Sequence, residues 1–392
     1  MSVDARIKTP ASPGAGVLGE AAAPKVHLGY LDSLRALAAI YVVMYHAIYQ
    51  IDPHHPVRTG AAGAFRSLFV GHYAVDLFIV LSGFCLMLPV ARGDGRLRGG
   101  ALHFFRKRAW RILPPYYLAV GYSLLMIWLF IGRPLDSPHY DFVPVTSQGL
   151  WTHLLLVQDA YGNMQINPPL WSVAVEWRIY LVFPVLVLLW QKIGPLAVTL
   201  LSVITGYVLL VLLRHTPVDT NPAGVSPEYL GLFAMGMLGA GVAFSPDQRL
   251  APLRRFRWGA VLAVTSVLLL LSQQPIIHGR PLQISVCDSL VGLFALSLLV
   301  CAGPGGIPWL HRALSWRPLA FVGTFAYSIY LFHAPLLPLL WQHCIYPLHL
   351  GTLGGLFAEV FVMTPLVVAI TYMFYLCFER PFVRRPVALD TK

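Results

Sequence analysis

The chain has 392 residues, of which 57% are hydrophobic and only 11% charged, with a formal net charge of +11. An ordinary soluble domain carries about a quarter charged residues, so this balance excludes a water-soluble globule. Five scattered cysteines (Cys85, Cys287, Cys301, Cys344 and Cys377), odd in number and without paired spacing, exclude a disulfide scaffold and a zinc or redox motif and are expected to be packing residues.

Residues 1–27 are rich in Ala, Pro and Gly and lack an apolar run, so a disordered tail is expected there. No cleavable signal peptide precedes the first apolar run, which is therefore expected to act as an uncleaved insertion signal. Apolar runs follow at 29–50, 69–91, 110–131, 170–190, 195–213, 227–244, 258–274, 283–302, 319–343 and 353–377. Each approaches the length that crosses a hydrocarbon core about 30 Å thick. The pattern predicts an all-α, polytopic membrane helix bundle of about ten transmembrane helices over residues 28–386, with a short tail at 387–392.

With both termini placed in the cytoplasm, only Arg58, Arg66, Arg133, Arg178, Arg214 and Arg280 of the 28 Lys and Arg fall outside the cytoplasmic segments. The positive-inside rule therefore selects this orientation, in an inner (plasma) membrane. The net charge follows from cations held against an anionic leaflet, so membrane lipids are the expected partner and nucleic acid is not. No internal repeat is visible. The long external segment 132–169 has an amphipathic piece near 150–157 and is placed to cap a site on the outer side.

The first run, LDSLRALAAIYVVMYHAIYQ, keeps Asp32, Arg35 and His46. Arg35 and His46 fall within about 20° of each other on a helix and about 16 Å apart along its axis. Ionisable groups facing lipid are costly, so this stripe should face other helices or water. A structural reading also exists, with Arg35 reaching to headgroups and His46 bonding across helices. The second run, GHYAVDLFIVLSGFCL, contributes Asp76 and Ser82, and the fourth, WSVAVEWRIYLVFP, contributes Glu176. Counted inward from the outer surface, His46, Asp76 and Glu176 are expected in one layer, where a carboxylate-held histidine can act as a general base.

On the cytoplasmic side, HFFRKRAWRILPPYY places Arg108 and Arg111 three residues apart on one helix face. Charge bias alone accounts for some of these cations, but the spacing also suits bidentate phosphate binding. The ninth run, AYSIYLFHAPLL, offers Ser328, Tyr327, Tyr330 and His333 as cavity residues, with His333 otherwise a structural histidine. No GxSxG, HExxH or Walker-type motif is present, and no metal ligand is expected.

These motifs together resemble the acyltransferase-3 family of integral membrane acyltransferases. LDSLRALAAIYVVMYH is similar to its Arg-x10-His first-helix signature, here Arg35 and His46. GHYAVDLFIVLSGF resembles its second-helix motif, with Ala74 where glycine is common and Ile79 where an aromatic is common. RKRAWR resembles its Arg-x-x-Arg motif, WSVAVEWRIYLVFP its Trp-Ser-x-x-x-Glu segment, and YSIYLFHAPLL and FERPF are typical of its later helices.

The resemblance implies an O-acyltransferase with no bound cofactor, using acyl-CoA, in particular acetyl-CoA, as co-substrate. Arg35, Arg108 and Arg111 would take the donor, and His46, oriented by Asp76 or Glu176, would activate an acceptor hydroxyl. Direct transfer and an acyl-His46 intermediate both remain open. The implied acceptor is an exported surface polysaccharide or lipid-linked glycan, the alternatives being an antibiotic or a lipo-oligosaccharide. From other classes, a proton-coupled transporter would also bury His, Asp, Glu and Arg, though the inverted repeats and broken helix pairs of that class are not visible, and a noncatalytic sensor or assembly partner would need no His46 chemistry.

Overall fold

The computed structural model describes residues 28–51, 68–131, 144–221, 223–272 and 281–384. The tails expected at 1–27 and 387–392 lie outside the described residues, as do Arg58, Arg66, Arg133 and Arg280. Every regular element among the described residues is helical. In chain order these are α1 (Gly29–Ile51), α2 (Gly71–Ala91), α3 (Gly100–Met126), α4 (Ser147–Leu155), α5 (Trp171–Ile193), α6 (Pro195–Leu213) and α7 (Tyr229–Phe244). They continue with α8 (Ala251–Arg254), α9 (Trp258–Ser272), α10 (Pro281–Ala302), α11 (Pro308–Leu314), α12 (Arg317–Gly323), α13 (Ala326–Leu340), α14 (Thr352–Ala358), α15 (Thr364–Phe374) and α16 (Arg380–Arg384).

Among the described residues, seven helices are long and apolar enough to cross a membrane, or up to nine if each of two bent pairs is one span. The chain is a multi-pass membrane helix bundle. All ten expected runs fall on helices, but two differ in form. The third begins at Gly100, because the arginine-rich stretch contains no breaker and simply continues the helix beyond its apolar part. The seventh, α9, is described over 15 residues, Trp258–Ser272, where the described residues stop. The ninth is broken, with Arg317–Gly323 and Ala326–Leu348 meeting at 68°. At that break a Cβ on Gly323 would stand 1.8 Å from the Asp32 carbonyl oxygen, so only glycine lets α12 run onto the backbone of α1.

One end of the bundle gathers the start of α1, the segment after α2, the end of α5 and the segment before α9. There the Tyr30 and His311 rings are 5.5 Å apart, Gln191 Nε2 donates to Gly95 O at 2.6 Å, and Arg249 donates to Gln191 O at 3.3 Å. We term it the arginine end and its opposite the far end.

At the centre, α2 and α7 cross with their backbones in contact. A Cβ on Gly83 would lie 2.0 Å from Phe233 O, and one on Gly236 would lie 1.9 Å from Val80 O. Small residues let membrane helices approach this closely and so gain dispersion contact where lipid supplies no hydrophobic drive.

The described part of the segment before α5, residues 144–170, is wedged into the bundle rather than laid over it. Its polar residues His153, Gln158, Asp159 and Asn167 are buried, and each finds a partner. Asn167 Nδ2 donates to Leu331 O at 3.0 Å and to Ser123 Oγ at 2.9 Å, tying the segment to α13 and α3. The first turn of α5 is consequently buried too, starting from Leu170 and Trp171.

Candidate functional site

A cavity of about 350 Å³ opens among α1, α2, α3, α5, α12 and α13. It collects Arg35, Arg108 and Arg111 with Ser82, Glu176, Tyr327 and Tyr330, all expected from the sequence as site or cavity residues, and adds Asp32, Cys85, Tyr180 and Glu379. The arginines arrive from two helices. Arg35 is held on both sides: Nη1 donates to Asp32 Oδ1 at 2.6 Å, one helical turn away, and Nη2 lies 2.9 Å from Cys85 Sγ on α2. Cys85 therefore does more than fill space. Arg108 is half-buried with its Cζ 5.9 Å from the Phe104 ring centroid, and Arg111 is exposed. The three-residue spacing read from the sequence thus points both α3 guanidinia at one volume.

Glu176 accepts hydrogen bonds from Ser82 Oγ and from Tyr180 OH, and these two hydroxyls are 2.9 Å apart. Tyr180 lies one turn beyond Glu176 on α5, a spacing that makes the pair neighbours on one face. On the opposite wall Ser328 gives both its backbone N–H and its hydroxyl to Glu379 Oε2, at 3.1 and 2.5 Å. A π turn, Tyr375–Glu379, presents that carboxylate.

The expected single layer of His46, Asp76 and Glu176 does not form. Glu176 meets Ser82, which is six residues past Asp76 on α2 and hence about 9 Å nearer the arginine end. The cause is the wedged segment before α5, which starts that helix deeper than its apolar run suggests. Asp76 instead faces His72, with Nε2 3.8 Å from Oδ1, and neither oxygen of Asp76 has a hydrogen-bond partner.

His46 and His333 do not line the cavity but continue it toward the far end. Their ring centroids are 5.2 Å apart, and the His333 ring is 5.9 Å from that of Tyr330, which does line it. Tyr330 is fixed by donating to Pro169 O at 2.6 Å, which leaves its oxygen to accept from Ser172 Oγ at 2.6 Å. His333 Nδ1 donates to Tyr330 O at 2.8 Å, and its Nε2 is buried without a partner. A line of polar groups thus runs from Glu176 and Ser82 past Tyr330 and His333 to His46.

Four contributors, Asp32, Cys85, Tyr180 and Glu379, are not expected from the sequence as site residues, although Glu379 lies in the FERPF segment. Asp32 and Tyr180 carried a signal, each one turn from a residue already singled out. Cys85 carried none, because nothing local marks a cysteine as the neighbour of an arginine on another helix. Outside the spanning segments, burial holds His153 below the ordinary histidine range, and burial pushes Asp159 up against the opposing pull of Arg178. Both belong to the wedged segment and serve its packing.

Peptidoglycan O-acetyltransferase OatA of Listeria monocytogenes is 25% identical over 328 residues, covering 79% of this chain and 49% of the relative. Putative peptidoglycan O-acetyltransferase YrhL of Bacillus subtilis is 27% identical over 332 residues, covering 79% of this chain and 48% of the relative. The chain thus spans about half the length of these relatives. No solved structure matches it. The acyltransferase-3 family model, described as an acyltransferase domain, matches residues 28–376, and the chain belongs to that family.

Proposed function

We propose that the protein is a membrane O-acetyltransferase that takes an acetyl group from acetyl-CoA at the arginine end, in the cytoplasm, and delivers it to a glycan hydroxyl arriving from the far end. The observation that carries this reading is the convergence of Arg35, Arg108 and Arg111 on one cavity that also holds Ser82, Glu176 and Tyr330. Guanidinia match phosphate oxygens in a planar fork, so Arg108 and Arg111 take the nucleotide phosphates of the donor. Its pantetheine arm then lies in the cavity along Arg35, and the thioester reaches the Tyr330 level.

There the acceptor oxygen attacks the thioester carbonyl while His46 takes the hydroxyl proton. The new C–O bond forms as the C–S bond breaks, and the departing thiolate recovers the proton from His46. His333 and Tyr330 line the approach, and Glu176, bonded to Ser82 and Tyr180, fixes the wall between donor and acceptor. Asp76 stands outside this constellation. The relatives' names supply the acceptor class: both are named for peptidoglycan, and an exported or lipid-linked glycan is the corresponding acceptor here.

Sidedness tests the reading. In oriented proteoliposomes holding a glycan acceptor inside, labelled acetyl-CoA supplied only at the arginine end should acetylate that acceptor, and supplied only at the far end should not. Equal transfer from either side refutes a through-membrane route.

A further inference from the structure

At the far end of the bundle, away from the cavity, His72 and Asp76 stand one turn apart on α2 and face Asp288 of α10. His72 Nε2 is 3.2 Å from Asp288 Oδ1 and 3.8 Å from Asp76 Oδ1, and the three ligand atoms all lie within 4.8 Å of one another. The carboxylates are 0% and 1% exposed, and all four of their oxygens lack a hydrogen-bond partner.

Two buried carboxylates side by side, with only the His72 imidazole and the Tyr229 hydroxyl near them, are costly, and such groups are ordinarily paired or bound to a metal. Their spacing is suited to one. Ligand atoms at zinc's usual distances of about 2.0–2.2 Å and tetrahedral angles stand about 3.3–3.6 Å apart, and the two measured separations bracket that range. One imidazole nitrogen with two carboxylates suits a borderline cation such as zinc, while calcium and magnesium prefer sets made wholly of oxygen.

Two aromatic neighbours hold the imidazole in place. Trp171 stacks on it, with centroids 5.8 Å apart and planes 9° from parallel. The Tyr229 hydroxyl is 3.0 Å from His72 Nε2, where it serves as a fourth neighbour once that nitrogen turns its lone pair to a cation. His72 retains 15% side-chain exposure, which leaves an approach.

We propose that His72, Asp76 and Asp288 form a divalent cation site of zinc type that ties α2 to α10 at the far end of the bundle. The ligands come from helices far apart in the chain, so the local spacings that identify zinc motifs in a sequence cannot reveal them, and the expectation that no metal ligand is present rested on those spacings alone. The site is independent of the acetyl-transfer reading.

The test uses the full chain purified in detergent, stripped with chelator, and incubated with Zn²⁺ before desalting and elemental analysis. One equivalent per chain is expected, falling to less than a tenth of an equivalent in His72→Ala and Asp288→Asn. Zinc-free wild-type protein, or variants that keep the full equivalent, overturns the proposal. A Co²⁺ titration of wild type keeps the question answerable if the variants fail to fold. Visible absorption of tetrahedral intensity that saturates at one equivalent is expected, and a flat spectrum overturns the site.

Discussion

Replacing Gly236 by alanine tests the central helix crossing. The added Cβ would stand 1.9 Å from Val80 O, 2.8 Å from Phe84 N and 2.9 Å from Val80 C. These are backbone atoms that no rotamer change can move aside. A carbon needs about 3.3 Å from a carbonyl oxygen, so α2 and α7 must part by roughly 1.4 Å at this point. A gap of only about 0.5–1 Å already forfeits a quarter to a half of each dispersion contact along the seam. The cost belongs at or above the upper end of the about 1–3 kcal/mol seen for overpacked cores. Two other glycines calibrate the measurement. At Gly239 the nearest atoms are side-chain carbons of Leu296 and Phe84 at 3.1 and 3.3 Å, which can yield. At Gly121 on α3 nothing lies within 4 Å, and alanine there should gain the helix propensity of about 0.8–1.0 kcal/mol. Denaturation by SDS from a mild detergent, followed by circular dichroism, should rank the proteins Gly121→Ala, wild type, Gly239→Ala, Gly236→Ala from most to least stable. A Gly236→Ala protein as stable as wild type would show that the crossing is looser than described.

The remaining predictions address the site and the wedged segment. His46→Ala should leave the protein folded and lower acetyl transfer by about 10²- to 10⁴-fold, the usual worth of a general base; transfer near the wild-type rate removes His46 from the mechanism. Arg108→Lys and Arg111→Lys keep the charge but lose the planar fork, so each should weaken acetyl-CoA binding by roughly tenfold or more, as expected for a lost charged hydrogen bond. Calorimetry that finds unchanged affinity in both would assign these arginines to topology alone. Burial keeps His153 neutral and below the ordinary histidine value of about 6.5. As pH falls below that value the unfolded state takes up a proton that the folded state refuses, so stability should drop until the folded value is passed. The drop in thermal midpoint between pH 7.5 and pH 5 should be smaller in His153→Gln, and an identical drop in both proteins would contradict the assignment.

Helix positions were legible because apolar length is nearly the whole determinant of a span. The run 195–213 coincides with α6, bounded by Gly194 and Arg214. The break between α12 and α13 was not legible, since RPLAFVG and AYSIYLFHAPLLPLL are both apolar and the feature that separates them is contact between Gly323 and a distant backbone. The cavity arginines could be read because helical spacing puts Arg108 and Arg111 on one face. The depth of Glu176 could not, because it depends on how far the preceding segment is wedged inward, which Asn167 fixes through partners on two other helices. Asp288 lay in an apolar run with nothing nearby in sequence to show that His72 and Asp76 would meet it.

The contact between Gly323 and Asp32 also bears on how the protein is made. Arg35 takes its geometry from Asp32, and the wall that faces them is supplied by Gly323, Thr324, Tyr327, Tyr330 and Glu379. In synthesis from the N-terminus, α1 is inserted long before those residues leave the ribosome. Until then Asp32 and Arg35 must be sheltered by each other, by headgroups or by the insertion machinery. The cavity is therefore completed last, and a chain truncated before α13 would carry its first-helix signature without a room to put it in.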